Sequence, residues 1–482
     1  MFQQGSARTV PLLPPVCYNG GIGGDCDMSN HVRIVEKNVE VLLEVNRVAF
    51  YAQGKVVECR GFEDNQVFYL YFYKNEFLTG KRATKVKPGC FFETAMKHGI
   101  TFDAPHPMID QLFPSNQTLP IISLKQLLDK LEQQKTPQEI ALILSFFNDF
   151  IKPESLQKVI EKQFFEYRRN GQLLNAYQIL QIAKLMNQCV WARETANRIE
   201  YQKYDKQYSQ SYETLLKIDP LFAELKSYPN RHKETVLSTI FKSKSRSLDL
   251  LALRFEDFTT SPTVETYQTL TTLIRSYLSQ IDYVNTLLFL QKNTPFPQLQ
   301  QDLIDLLLER KDYQQVFALI SNYSIGLSFI QKEKLKDYLL SDDVLVSEYT
   351  CLHLVTLFKS ERQTLEQILR QCVMTLLKKH HIGYVNQWLH PLKIGQLSLP
   401  ILSTIEKMAI MQDDPDKQFL LGEYYHELQQ YEKAIECFSW EMELNSTDPL
   451  PVKWLSKLYK ELGMTNESKD YQQVFLSMQK HA

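Results

Sequence analysis

Glycine is scarce in this 482-residue chain once its first hundred residues are passed. Only six of the 16 glycines, Gly171, Gly326, Gly383, Gly395, Gly422 and Gly463, lie beyond residue 99. A nucleotide-binding α/β domain clusters glycines at its phosphate loop, where backbone must approach the ligand or take positive φ, so that class is excluded for the long C-terminal part. Cys-x-x-Cys pairs are missing as well. The eight cysteines (Cys17, Cys26, Cys59, Cys90, Cys189, Cys351, Cys372 and Cys437) are too dispersed for a disulfide framework, and reduced, mostly buried thiols point to the cytoplasm. Charge of one sign does not dominate: 54 Lys plus Arg stand against 56 Asp plus Glu, so no global field draws the chain to nucleic acid or acidic membrane. No apolar run approaches the roughly 20 residues that cross a bilayer, which predicts no membrane insertion. Absent too are the Gly-x-Ser-x-Gly, His-Glu-x-x-His and Gly-Lys-Ser/Thr strings, so no catalytic residue, metal site or cofactor is nominated.

What is present is core material, with 44% apolar residues of which the aromatics are a large part. Such a length exceeds one ordinary core and implies several domains or an array whose units pack on their neighbours. Residues 1–27 read as a disordered leader, its apolar run broken by Pro11, Pro14 and Pro15, with Met28 a second candidate start. Residues 28–107 hold five glycines and two β-prone runs, Lys55 to Cys59 and Gln66 to Tyr73, separated by Glu63-Asp64-Asn65 as by a hairpin turn. That predicts a small α+β or β-rich module. Prolines 105, 107, 114 and 120 then suggest a linker. From 120 to 414 helix signals recur without strand patterns, which predicts a mostly α protein built as an array of helical hairpins. Thr136-Pro137-Gln138-Glu139 combines a hydroxyl cap, a first-turn proline and a Glu at capping-box spacing. Ser261-Pro262, Asp414-Pro415 and Asp448-Pro449 suggest similar openings.

Beyond Asp414 a repeat emerges. Leu421, Gly422, Tyr425, Ala434 and Phe438 fall in the order and spacing of a tetratricopeptide repeat, and residues 415–482 resemble that superfamily in its bacterial, cytoplasmic form. Small Gly422 and Ala434 belong where paired helices press together, and Tyr425 and Phe438 fill the space toward neighbouring helices. The next unit opens at Pro449, 34 residues after Pro415, and keeps Leu455 and Tyr459. It departs at Ser456 and Ser468, where the family has Gly and Ala, while Glu441 and Ser446 depart in the first unit. Upstream, 120–414 reads as a degenerate form of the same array, with single-pair echoes at Tyr167 to Ala176 and Tyr313 to Val316.

The resemblance implies an α-solenoid whose concave face, lined by the first helix of each pair, binds another protein or peptide and does no chemistry. On the family's pattern that face carries Phe419, Glu423 and His426, then Lys453, Lys457 and Lys460. The three lysines share one helix face and suit an acidic segment or a carboxylate terminus. A solvated charged face explains the same stripe without a ligand, and the family's carboxylate-gripping asparagines are missing. The expected role is therefore a non-catalytic adaptor or scaffold.

The alternative is a nucleic-acid-associated regulator. It rests on the basic run Lys81-Arg82-Ala83-Thr84-Lys85-Val86-Lys87 beside the aromatic run from Phe68 to Tyr73, although alternating aromatics ordinarily mean a strand with one face in a core. Lys242, Lys244 and Arg246 read as an exposed loop patch. Cys351 and His353 would point about 200° apart on a helix and read as core. His380 and His381 suit a helix C-terminus, and Asp342-Asp343 and Asp413-Asp414 suit helix starts. Cys17 and Cys26 lack the further ligands a metal needs.

Overall fold

The computed structural model describes residues 31–62, 65–83, 88–113, 118–186, 189–231, 236–341, 346, 350–394 and 398–481. The expectations placed on 1–27, Glu63-Asp64, Thr84 to Lys87, Pro114 and Asp342-Asp343 lie outside these residues. Among those described, 25 α-helices accompany one seven-stranded sheet, and no helix is long and apolar enough to cross a membrane. The chain divides into two compact units, one ending at Thr294 and the other beginning at Pro295.

In the first unit, β1 (His31–Glu36), β2 (Val39–Tyr51), β3 (Gly54–Gly61), β4 (Val67–Tyr73) and β5 (Glu76–Ala83) form a meander. Two of its two-residue turns, Lys37-Asn38 and Ala52-Gln53, hold both residues at positive φ, the backbone that matches the twist of two antiparallel strands. β3 pairs with β4 from Gly54–Tyr73 to Arg60–Val67, so the two β-prone runs do form a hairpin. β6 (Ile100–Asp103) joins β2 beyond the reach of β1, and β7 (Thr118–Pro120) lies parallel to β1. The sheet curls until its outer strands meet. Thr79 on β5 donates to the Ile122 carbonyl at 2.8 Å and accepts from its N–H at 3.0 Å, while Arg82 on β5 pairs with Glu36 on β1 at 2.7 Å.

Closure of the sheet gives β4 two buried faces. Phe72 turns toward Phe77 and Phe113, with ring centroids 5.3 and 5.8 Å away. Tyr69 and Tyr71 turn the other way, against Phe92 at 4.3 Å and Phe147 at 4.7 Å. The second face belongs to one core that runs from Ala49 and Val56 on the strands through Leu142, Phe164 and Tyr177 on helices Pro137–Ser145, Pro153–Arg169 and Leu173–Lys184. Gly54 is small because the Phe146 ring lies where a Cβ would be, 2.7 Å away. The proline-rich stretch expected as a linker is built into this unit. Pro107 opens the short helix Pro107–Asp110 with Met108 and Ile109 fully buried, and Pro120 sits in β7.

Helix starts follow local chemistry with one shift. Thr136 and Glu139 complete a capping box, and Asp448 accepts from the Leu450 N–H at 2.9 Å to open Pro449–Glu461. Asp414 opens a 3₁₀ turn, Pro415–Lys417, ahead of helix Gln418–Glu427. Ser261, in contrast, closes helix Ser247–Thr260, and Thr263 caps the next one, because its hydroxyl rather than that of Ser261 reaches the Thr266 N–H.

Every element described in the second unit is a helix. Each helix packs chiefly on the next or on the next but one, while side chains of Gln430 and Lys433 reach back to carbonyls of Met374, Leu377 and His380. Its last four helices are Gln418–Glu427, Tyr431–Leu444, Pro449–Glu461 and Thr465–His481. His380 ends helix Arg362–Lys379, while His381 starts the following one, its Nδ1 accepting from the Tyr384 N–H at 3.2 Å. Lys433 donates to the His380 carbonyl at 3.0 Å and to that of Leu377, so a lysine from a later hairpin supplies the cation at that helix end.

Candidate functional site

The C-terminal helix pairs interlock through small residues. A Cβ at Gly422 would lie 2.9 Å from the Phe438 ring, and Ala434, Leu421, Tyr425 and Leu455 are all buried. Burial pushes the Tyr425 hydroxyl up to about 12. Phe438 also looks outward: its ring stacks on Trp454 of the following hairpin at 5.3 Å and 3°. Ser456 and Ser468 face each other, each hydroxyl donating to the other's carbonyl at 2.9 and 2.8 Å. Tyr459 stacks on Tyr471 at 5.3 Å.

Of the six residues expected to receive a partner, the structure brings two together. His426 on Gln418–Glu427 places Nε2 3.1 Å from Glu461 and its ring 4.9 Å from Trp454, and the Lys457 ammonium lies 4.5 Å over the same indole. Lys453 and Lys460 are exposed, and neither has a carboxylate in ion-pair range among the described residues. Glu423 is half-buried. Phe419 packs edge-on against Phe438 at 5.3 Å, so its ring supports the interlock and only its half-buried rim reaches the surface. Sequence reasoning missed Trp454 and Glu461. The signal for Trp454 was its place one turn before Lys457, in a residue type that anchors interfaces.

A second polar constellation lies inside the first unit, and it overturns the reading of Arg246 as part of an exposed patch. Lys242 and Lys244 are exposed, but Arg246 is 5% exposed, donating to Glu224 at 2.6 Å and to both oxygens of Asp249 at 2.9 and 3.2 Å. Ser245 at positive φ turns the chain inward just before it. Lys55 on β3, fully buried, reaches Asp249 at 3.3 Å, Asn75 at 3.1 Å and the Lys74 carbonyl. Burial lowers the Lys55 ammonium against the pull of Asp249, whereas for Asp249 burial is outweighed by Lys55 and Arg246, which hold its carboxyl below the usual range. Gln53 donates to Glu224 at 3.0 Å, and Tyr73 donates to Glu139 at 2.6 Å. Burial works to raise the Glu139 carboxyl, but the bonds from Tyr73, Thr136 and Lys74 prevail and bring it down to about 2. Two cations face two carboxylates here, and Lys55 and Gln53 reach from the sheet to Asp249 and Glu224, so the set ties the sheet to helices Pro220–Ser227 and Ser247–Thr260.

The aromatic run from Phe68 to Tyr73 offers no base a stacking surface, since all six residues are at most 3% exposed. Cys351 is also fully buried, with its thiol raised to about 12 by burial. No group of three or more His, Cys, Asp and Glu is placed to hold a metal among the described residues. Two cavities open in the first unit. One, of about 70 Å³, is lined in part by Cys90, Cys189, Met186 and Asp149, and burial raises the Cys90 and Cys189 thiols, which makes them weak nucleophiles. The other, of about 330 Å³, is polar and open. No protein-family model matches this chain, and no curated protein matches it.

Proposed function

We propose that this protein is a non-catalytic adaptor of the tetratricopeptide type, acting in the cytoplasm. Its C-terminal hairpins take a segment of another protein across helices Gln418–Glu427 and Pro449–Glu461. The observation that carries this reading is the constellation of His426, Trp454, Lys457 and Glu461, where side chains of two successive first helices make one surface. Packing that runs chiefly between neighbouring helices supports a solenoid, the architecture that offers extended surface rather than an enclosed pocket. Lys453 and Lys460, exposed and without carboxylate partners among the described residues, leave positive charge for an acidic stretch of the partner.

The test is affinity capture with the full chain and with a variant carrying Lys453→Glu, Lys457→Glu and Lys460→Glu. Loss of a specific partner in the variant, with unchanged melting, is the expected result. The same partners captured by both proteins would remove the lysine face from the reading, and no partner for the intact chain would remove the adaptor role. Capture of RNA, weakening steeply with salt, would favour a nucleic-acid regulator instead.

A further inference from the structure

The open polar cleft has one wall on helix Pro153–Arg169 and the other on the turn between helices Leu124–Gln134 and Pro137–Ser145. Gln163 and Tyr167, one turn apart, sit on the first wall, and Glu132 and Lys135 on the second. Gln163 is only 7% exposed, yet its carboxamide has no hydrogen-bond partner among the described residues. The amide atoms open onto the cleft rather than being sealed in the core, so they can bond to a ligand there.

Charges of both signs flank the amide. Lys162 has a side chain 68% exposed and, among the described residues, is held only by Glu132, at 3.7 Å. Glu166, one turn further along the same helix, is exposed and has no cation in ion-pair range among the described residues. Lys135 is already committed to Glu76 at 3.0 Å. The lining is thus balanced in charge, which disfavours phosphate-rich ligands, and its volume of about 330 Å³ is at the small end of ligand sites.

We propose that this cleft binds a small zwitterion of the amino-acid or dipeptide class. Lys162 meets the ligand's carboxylate, Glu166 its ammonium, and Gln163 an amide of its backbone or side chain. The site is separate from the partner-binding face and stands or falls without it.

Ligand-observed saturation-transfer NMR on the full chain, with glutamine and alanyl-glutamine as probes, tests the proposal. N-acetylated and C-amidated alanyl-glutamine are the controls for the two charges. Binding of a free zwitterion is expected, weakened at least about tenfold by blocking either end and by Lys162→Ala or Glu166→Ala. Gln163→Leu should abolish binding while leaving the melting temperature unchanged, which separates a lost ligand contact from a lost fold. Absence of signal from both free probes at about 10 mM, or signals undiminished in Lys162→Ala and Glu166→Ala, would overturn it.

Discussion

Gln291 shows how much a single side chain matters in this interior. It is fully buried on helix Gln280–Asn293, and neither its carbonyl nor its amino group has a hydrogen-bond partner among the described residues. Removing both polar atoms from such a site relieves the desolvation cost, so Gln291→Leu should stabilise the protein by about 1 kcal/mol. A chemical-denaturation midpoint that falls would show that the amide is satisfied in solution. Gly422 has the opposite sensitivity. With the Phe438 ring 2.9 Å from the place of a Cβ, Gly422→Ala overpacks the hairpin and should cost about 1–3 kcal/mol, much of it regained when Phe438→Leu makes room. A Gly422→Ala protein as stable as the parent would mean that the two helices separate freely.

Individual elements depend on chemistry that a hydrophobic pattern does not display. The short helix Pro107–Asp110 is capped by His106, whose Nδ1 accepts from the Met108 N–H at 3.0 Å while the ring stacks on Phe102 at 4.2 Å and meets Phe289 edge-on. Burial drives the imidazole down to about 3, so the folded protein holds it neutral where the unfolded chain, at about 6.5, takes up a proton. Its contribution to stability is complete above 6.5 and is lost progressively as pH falls toward 3. Asp110 beside it is raised to about 6, by burial and then by Asp282, and favours the folded state on acidification. His106→Asn keeps a capping oxygen but cannot be protonated. It should be less stable than the parent at neutral pH, with the gap narrowing as pH drops from about 7 to about 4. Measuring urea midpoints of both proteins cancels the Asp110 effect, and a gap constant with pH would refute the assignment. The last hairpin makes a related point, because the hydroxyls of Ser456 and Ser468 bond reciprocally where its two helices press together. Two small polar residues thus preserve close approach while adding bonds of their own.

At the scale of the whole molecule, the sheet and the helices that follow it share one interior. Tyr69 and Tyr71 on β4 are buried by residues supplied after position 90, and Lys55 is neutralised by Asp249, which lies 194 residues away in the chain. Residues 31–120 expressed alone should therefore fail to fold, exposing their tyrosines and losing near-ultraviolet dichroism. Arg246→Leu strands two buried carboxylates and should cost about 3–5 kcal/mol. Combined with Lys55→Met the losses should be less than additive, since both cations serve Asp249. Strict additivity in a double-mutant cycle would show that the cluster does not act as a unit.

Local chemistry was legible in the sequence by itself. The scarcity of glycine after residue 99 marked a helical protein, Thr136 and Glu139 marked a helix start, and the runs around Val57 and Leu70 marked a β-rich module, because propensity, capping and alternation act over a few neighbouring residues. What only the tertiary structure decided is where distant residues meet. Arg246 in its basic run and Lys55 in its strand carry the pattern of exposed cations, and nothing near them in sequence announces Glu224 or Asp249. The indole of Trp454 under Lys457, and the unpaired amide of Gln163 in its cleft, are equally products of packing. The physical reason is range: backbone preferences are written locally, whereas burial of charge and the making of a binding surface depend on which parts of the chain arrive at the same place.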